Sequence, residues 1–168
     1  MRQLIDICRE YVIGIRCELA RKETTDPVRQ AELAAYFTNS NLQPVHMILV
    51  LRSAMSCALK VKNTPIAASF ARRLIDTGAP AAVQQAARKV LAAYDAAPNA
   101  NDGAALRYDP RNPFVVCGRT LLPLYRGAQI VRCPLCSQPV EAAAKGQVCD
   151  TCCVAQIGAE ASGMRWVR

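Results

Sequence analysis

The stretch Cys133-Pro134-Leu135-Cys136, followed after twelve residues by Cys149-Asp150-Thr151-Cys152, decides how the second half of this chain is read. Each pair leaves a two-residue gap, so one tight turn can present two sulfurs to one point. Tetrahedral zinc takes four thiolates about 2.3 Å from the metal, and two such turns supply them from little sequence. The candidate ligands are therefore Cys133, Cys136, Cys149 and Cys152. With four thiolates the site is closed, which points to a structural ion and leaves no open position for catalysis. Cys153 stands next to Cys152 and could replace it, because a three-residue gap is also within zinc's tolerance.

Other uses of these cysteines fit less well. A redox pair of the thioredoxin kind starts a helix within a strand-helix-strand unit, and neither Cys133 nor Cys149 has such surroundings. A disulfide framework belongs to secreted chains, yet Met1 to Leu19 is interrupted by Asp6, Arg9, Glu10, Arg16 and Glu18, so no signal-peptide core is present. Reduced thiols in the cytoplasm are expected. The remaining alternative is a metal-free set of cysteines lining a small core.

Working outward toward the carboxyl end, short β-favouring runs surround the cysteines: Phe114–Cys117, Leu121–Tyr125, Ile130–Arg132, Gln147–Cys149, Val154–Ile157 and Met164–Val167. Gly118, Arg126-Gly127, Lys145-Gly146, Gly158 and Gly163 punctuate them as turns of a small antiparallel sheet. So few residues make a marginal core alone, and a structural zinc ion adds about 10–16 kcal/mol of apparent folding free energy in small peptides.

The first half has a different period. In Gln3–Lys22, Leu4, Cys8, Tyr11, Ile15 and Leu19 recur at helical spacing, which predicts an amphipathic helix burying that stripe. Asp26-Pro27 caps and starts a second helix with Leu33, Tyr36 and Phe37 inward. Gln43-Pro44 starts a third, apolar around much of its circumference and expected to be central. Thr64-Pro65 opens a fourth with Ile66, Phe70, Leu74 and Ile75 inward, closed by Gly78. A fifth runs from Pro80 through Val83, Ala87, Val90, Leu91 and Tyr94. The segment Ala96–Gly103 breaks pattern and composition and reads as a linker.

The expected fold is therefore α+β. Residues 1–97 form a helical stack of solenoid-like pairs, and residues 98–168 form a β-rich module of zinc-ribbon type. No clean 34-residue repeat is present.

Composition narrows the function. The chain has 168 residues, is 52% hydrophobic and carries a formal charge of +8, enough apolar material for a packed core. No apolar run reaches the length of a membrane span. The basic excess is spread along the chain and aromatics make up 5%, so the stripe of a nucleic-acid binder is missing. A zinc-ribbon nucleic-acid module is kept as the alternative reading. His46 is the only histidine, which removes most general-base schemes. Cys8, Cys17, Cys57 and Cys117 read as small core hydrophobes, and the acids fall at caps and loops. No phosphate-binding glycine loop, serine elbow or metalloprotease helix occurs. The expectation is a protein without catalysis.

The segments Arg9–Gly14, Asp26–Phe37, Asn41–His46, Leu51–Met55, Ala71–Leu74, Arg111–Gly118, Pro123–Gly127 and Ala159–Gly163 resemble, in order, the carboxyl-terminal region of the coatomer alpha subunit. The resemblance implies a segment of the COPI vesicle coat, acting in Golgi-to-ER and intra-Golgi transport. It further implies docking of the epsilon subunit, a tetratricopeptide protein, contacts with other coatomer subunits, and a cytoplasmic location peripheral on Golgi and vesicle membranes. The family's propellers that read dilysine cargo signals are not in this segment. Some relatives lack the cysteine quartet, which implies that the metal supports the sheet and is not the shared activity.

Overall fold

Five helices come first in the computed structural model, which describes residues 2–97 and 103–160. They are α1 (Arg2–Glu23), α2 (Pro27–Phe37), α3 (Pro44–Lys60), α4 (Thr64–Asp76) and α5 (Ala81–Ala96). Their boundaries follow local chemistry. Asp26 accepts a hydrogen bond from the Val28 N–H at 3.0 Å and Pro27 occupies the first turn of α2. Asn63 does the same for the Ile66 N–H at 3.2 Å at the start of α4. At the end of α4, Gly78 has φ +73°, and the Ala79 N–H reaches the Leu74 carbonyl at 3.3 Å. That is the left-handed cap predicted from the sequence.

Each helix packs on its neighbours in sequence, α1 on α2, α2 on α3, α3 on α4 and α4 on α5. The most enclosed helix is α2, in which Ala31 through Tyr36 are buried without a break. Helix α3 buries Leu51, Ala54, Met55 and Ala58 but exposes Val45, Leu49 and Leu59, so it stands in the middle of the order yet is less enclosed than α2.

Helix α1 departs most from expectation. Leu4, Cys8, Ile15 and Leu19 are exposed, while Ile13, Gly14 and Cys17 face inward. The inner face is chosen for closeness. A Cβ on Gly14 would clash with the edge of the Phe37 ring, so that ring of α2 packs directly against the glycine. Gly14→Ala is therefore expected to destabilise the chain. The overpacking cost of about 1–3 kcal/mol outweighs the roughly 1 kcal/mol gained in helix propensity. A lower denaturation midpoint by urea titration would show it, and a higher midpoint would contradict the contact.

After α5, the segment from Gly103 returns across the helices. Its Ala104 N–H donates to the Val61 carbonyl at 3.2 Å, and the Asn63 amide donates to the Ala104 carbonyl at 3.1 Å. The buried carboxylate of Glu32 accepts from the Arg107 N–H at 2.9 Å, and the Tyr36 hydroxyl donates to the Arg107 carbonyl at 2.9 Å. Tyr108 then enters the helical core, its ring centroid 5.5 Å from that of Phe70 and 5.9 Å from that of Phe114. Val116 and Leu121 belong to the same buried cluster. The residues just beyond the expected linker thus pack with the helices.

The β elements are two short ladders. Strands β1 (Phe114–Val116) and β2 (Pro123–Tyr125) pair antiparallel, with Val115 opposite Leu124. Strands β3 (Ile130–Arg132) and β4 (Pro139–Glu141) pair with Val131 opposite Val140. The expected strands at Gln147–Cys149 and Val154–Ile157 are reduced to one bridge between Val148 and Gln156. The expected strand Met164–Val167 and the linker residues Pro98–Asp102 lie outside the described residues. A second buried cluster, of Cys117, Leu124, Cys133, Cys136, Val140, Ala144, Cys149 and Ile157, forms the inside of this module.

Candidate metal centre

The two hairpin-like turns of the sequence bring their sulfurs to one point. The first turn follows β3, and the Ser137 N–H closes it on the Cys133 carbonyl at 2.9 Å. The second lies between the bridge partners Val148 and Gln156, and the Cys153 N–H closes it on the Cys149 carbonyl at 2.8 Å. The Sγ atoms of Cys133, Cys136, Cys149 and Cys152 all lie within 4.8 Å of one another. Cys133 to Cys152 and Cys136 to Cys149 are each 3.7 Å. A tetrahedron with metal–sulfur bonds of about 2.3 Å has edges of about 3.8 Å, so the spacing suits one ion. It is far too long for a disulfide, whose sulfurs are about 2.05 Å apart.

The fifth cysteine is set aside. Cys153 is exposed with φ +56°, and its Sγ points to the Asp150 carbonyl at 3.9 Å. The quartet that could hold a metal ion is completed by Cys152.

The surroundings prepare the sulfurs unequally. Burial pushes the Cys133 and Cys136 thiols up, against backbone N–H groups of Leu135 and Cys136 at the first and of Gln138 at the second. At Cys152 burial also acts upward, but the N–H groups of Ala155 and Val154 and the neighbouring thiols outweigh it and bring the group down to about 7. Without a cation the buried thiols resist ionising, whereas a divalent ion at the centre favours all four thiolates. Such a donor set, soft and closed, is the chemistry of a structural site.

Helix α1 holds this module in place through residues that composition and motif reading missed. Arg2, Arg9 and Arg16 stand seven residues apart on one face. Arg2 donates to the Ser137 hydroxyl at 2.6 Å, and Arg9 to the Cys136 carbonyl at 3.0 Å while also pairing with Asp6 at 2.7 Å. Arg16 donates to the carbonyls of Gly118 and, at 3.3 Å, of Asp150. Two of these guanidinium groups, Arg9 and Arg16, thereby satisfy backbone carbonyls of the module, and the third reaches a side-chain hydroxyl. The seven-residue interval was the available signal. Gln138, buried, donates to the Val116 carbonyl at 2.8 Å and ties the second ladder to the first.

The other residues singled out by sequence fall outside the centre. The buried Cys17 thiol is pushed up to about 12 by desolvation, and Cys57 and Cys117 are buried as expected. Cys8, expected in the core, is exposed because α1 turns its other face inward. His46 shares a 2.7 Å hydrogen bond between its Nδ1 and the Tyr11 hydroxyl. Asp109 accepts from the Arg111 N–H at 2.9 Å in a local turn. Asp6, Glu10, Glu18 and Glu32 are each paired with an arginine. Among the described residues no nucleophile, base and orienting group come together.

A stack of helices sealed onto a four-cysteine turn module is a helix-plus-ribbon architecture. The family model for the C-terminus of the coatomer (COPI) alpha subunit matches residues 1–168. The chain belongs to that family. It is 45% identical to coatomer subunit alpha of Dictyostelium discoideum and 48% identical to coatomer subunit alpha-1 of Arabidopsis thaliana, in each case over 98% of this chain. It is 32% identical over 97% of its length to coatomer subunit alpha of Saccharomyces cerevisiae. The chain spans only 13–14% of the length of these relatives. Among the described residues no helix is long and apolar enough to cross a membrane.

Proposed function

We propose that this chain is a structural, non-catalytic segment of the COPI vesicle coat that docks the epsilon subunit, a tetratricopeptide protein, and meets other coatomer subunits. On this reading it works in the cytoplasm, peripheral on Golgi and vesicle membranes, in Golgi-to-ER and intra-Golgi transport. The observation that carries the proposal is the family match over residues 1–168. It is supported by Asp6, Glu18 and Glu32 each paired with an arginine and by His46 bonded to Tyr11, with no nucleophile, base and orienting group assembled among the described residues.

In the same proposal Zn2+ is held by Cys133, Cys136, Cys149 and Cys152 as a staple. The helical unit (residues 1–97) and the ribbon unit (residues 98–168) are each cooperative, with residues 104–121 as the seal between them. A stable interface with a partner protein buries at least about 1,000 Å² and rests on apolar burial more than on rim charge. Co-expression with the matching epsilon subunit, followed by size-exclusion chromatography in moderate salt, is expected to give a stable complex. Failure to form one, even with the complete carboxyl-terminal region of the alpha subunit, would contradict the docking.

A further inference from the structure

The two ends of the helical stack are finished differently. Helix α5 contributes no large exposed hydrophobic side chain, as suits a terminal helix of a stack. Helix α1 exposes Leu4 at 64%, Ile15 at 51% and Leu19 at 53%, with Ile7 and Val12 alongside. With exposed Cys8, the series Leu4, Cys8, Val12, Ile15 and Leu19 recurs at three- and four-residue steps over most of the length of α1, the pattern of a helix that has a neighbour.

The stripe is flanked by two apolar troughs. One, of about 370 Å³, runs between α1 and α3 and is walled by Tyr11, Ile15, Phe37, His46, Leu49 and Val50. The other, of about 310 Å³, lies between Leu4, Ile5, Cys8 and Val12 of α1 and Leu135 of the cysteine module. Glu18, Tyr11 and His46 along the first trough are paired, whereas the buried Thr151 hydroxyl on the second has no partner among the described residues. Glu18 pairs with Arg21 at 2.6 Å, and the Tyr11 hydroxyl pairs with His46 and accepts from the Gln43 N–H at 3.2 Å. What fits is a rod with an apolar stripe of its own.

We propose that α1 is not the end of the stack in the assembled alpha subunit. An amphipathic helix from the segment that precedes the matched region in the longer relatives lies along α1 and fills these troughs. Two observations name this occupant. Every described helix packs on its neighbours in sequence, so the open face of α1 is the place for the helix before it. The relatives extend far beyond the matched segment, which is 13–14% of their length and falls at the C-terminal end of the family's alpha subunit.

Cys8 lies within the stripe and is exposed, and Cys153 is exposed on the ribbon, so the chain carries its own probe and control. The experiment compares maleimide labelling of the two, mapped by mass spectrometry, in the 168-residue chain and in the same chain extended by the roughly 60 residues that precede the match in the Dictyostelium relative. The expected result is at least a tenfold slower reaction of Cys8 in the extended chain with Cys153 unchanged, and recovery of the Cys8 rate in the extended Ile15→Arg variant. Equal Cys8 rates in both chains would overturn the proposal. Protection of the short chain that grows with its own concentration would assign the face to a second copy instead. Protection of the short chain only on addition of the epsilon subunit would assign it to a separate partner, and either result would overturn the helix in cis.

Discussion

Replacing one sulfur, in Cys136→Ser, is expected to strip the metal from the chain and unfasten residues 117–157 while leaving the helices formed. The ribbon has only a small buried cluster, with four of its members the cysteines Cys117, Cys133, Cys136 and Cys149. Apolar burial on that scale does not hold a module of three-residue strands. A structural zinc ion adds about 10–16 kcal/mol of apparent folding free energy in small peptides, and most of that is lost with one ligand. The helices have their own core, in which Tyr36, Leu51, Phe70 and Leu74 are fully buried.

The measurement is metal content under chelator competition together with hydrogen exchange by segment. Cys136→Ser is expected to retain under about a tenth of an equivalent of metal and to lose protection across the cysteine turns, with α2 to α4 still protected. Cys153→Ser is the matched control and is expected to keep both, because its sulfur points away from the quartet. Collapse of the helical protection as well, or equal loss in the control, would contradict the two-unit description.

The second large effect is expected in the helical core. Phe70 is 0% exposed and touches the ring of Tyr108, the residue by which the returning segment enters the helical core. Phe70→Ala opens a cavity there, at a cost of about 3–5 kcal/mol. For a chain of this size that corresponds to a fall in the thermal midpoint of roughly 10 °C. The loss should extend beyond α4, since Tyr108 and Phe114 stack in the same group and Tyr36 holds the Arg107 carbonyl. Thermal unfolding followed by circular dichroism tests this. A fall of less than about 2 °C would place the core elsewhere.

Much of this architecture was legible because it is written in local chemistry. Asp26-Pro27, the start of α4 and Gly78 mark helix ends by capping and backbone conformation, which depend on few residues. The cysteine pairs likewise carry their geometry in their spacing, and the structure gathers the four expected sulfurs within one metal's reach.

The inward face of α1 was not legible. An apolar stripe has the same period whether it meets the chain's own core or another helix, and the face actually buried is the short set Ile13, Gly14 and Cys17, outnumbered by the exposed stripe. Strand β4 was missed because it begins at Pro139 and is placed by its pairing with β3, a non-local contact. The segments at Gln147–Cys149 and Val154–Ile157 read as strands, yet only Val148 and Gln156 pair. There the cysteine turns set the path of the chain and the ladder follows. Tyr108 falls between the expected linker and the first expected strand and carried no assignment, because its burial depends on Phe70 and Phe114, distant in sequence from one another.

The most direct test of the whole account is zinc-edge X-ray absorption on the reduced, purified chain with its metal stoichiometry measured on the same sample. One zinc ion per chain with four sulfur neighbours at about 2.3 Å is the expected result. A reduced chain that is folded without metal, or an ion held by nitrogen and oxygen donors, would contradict it.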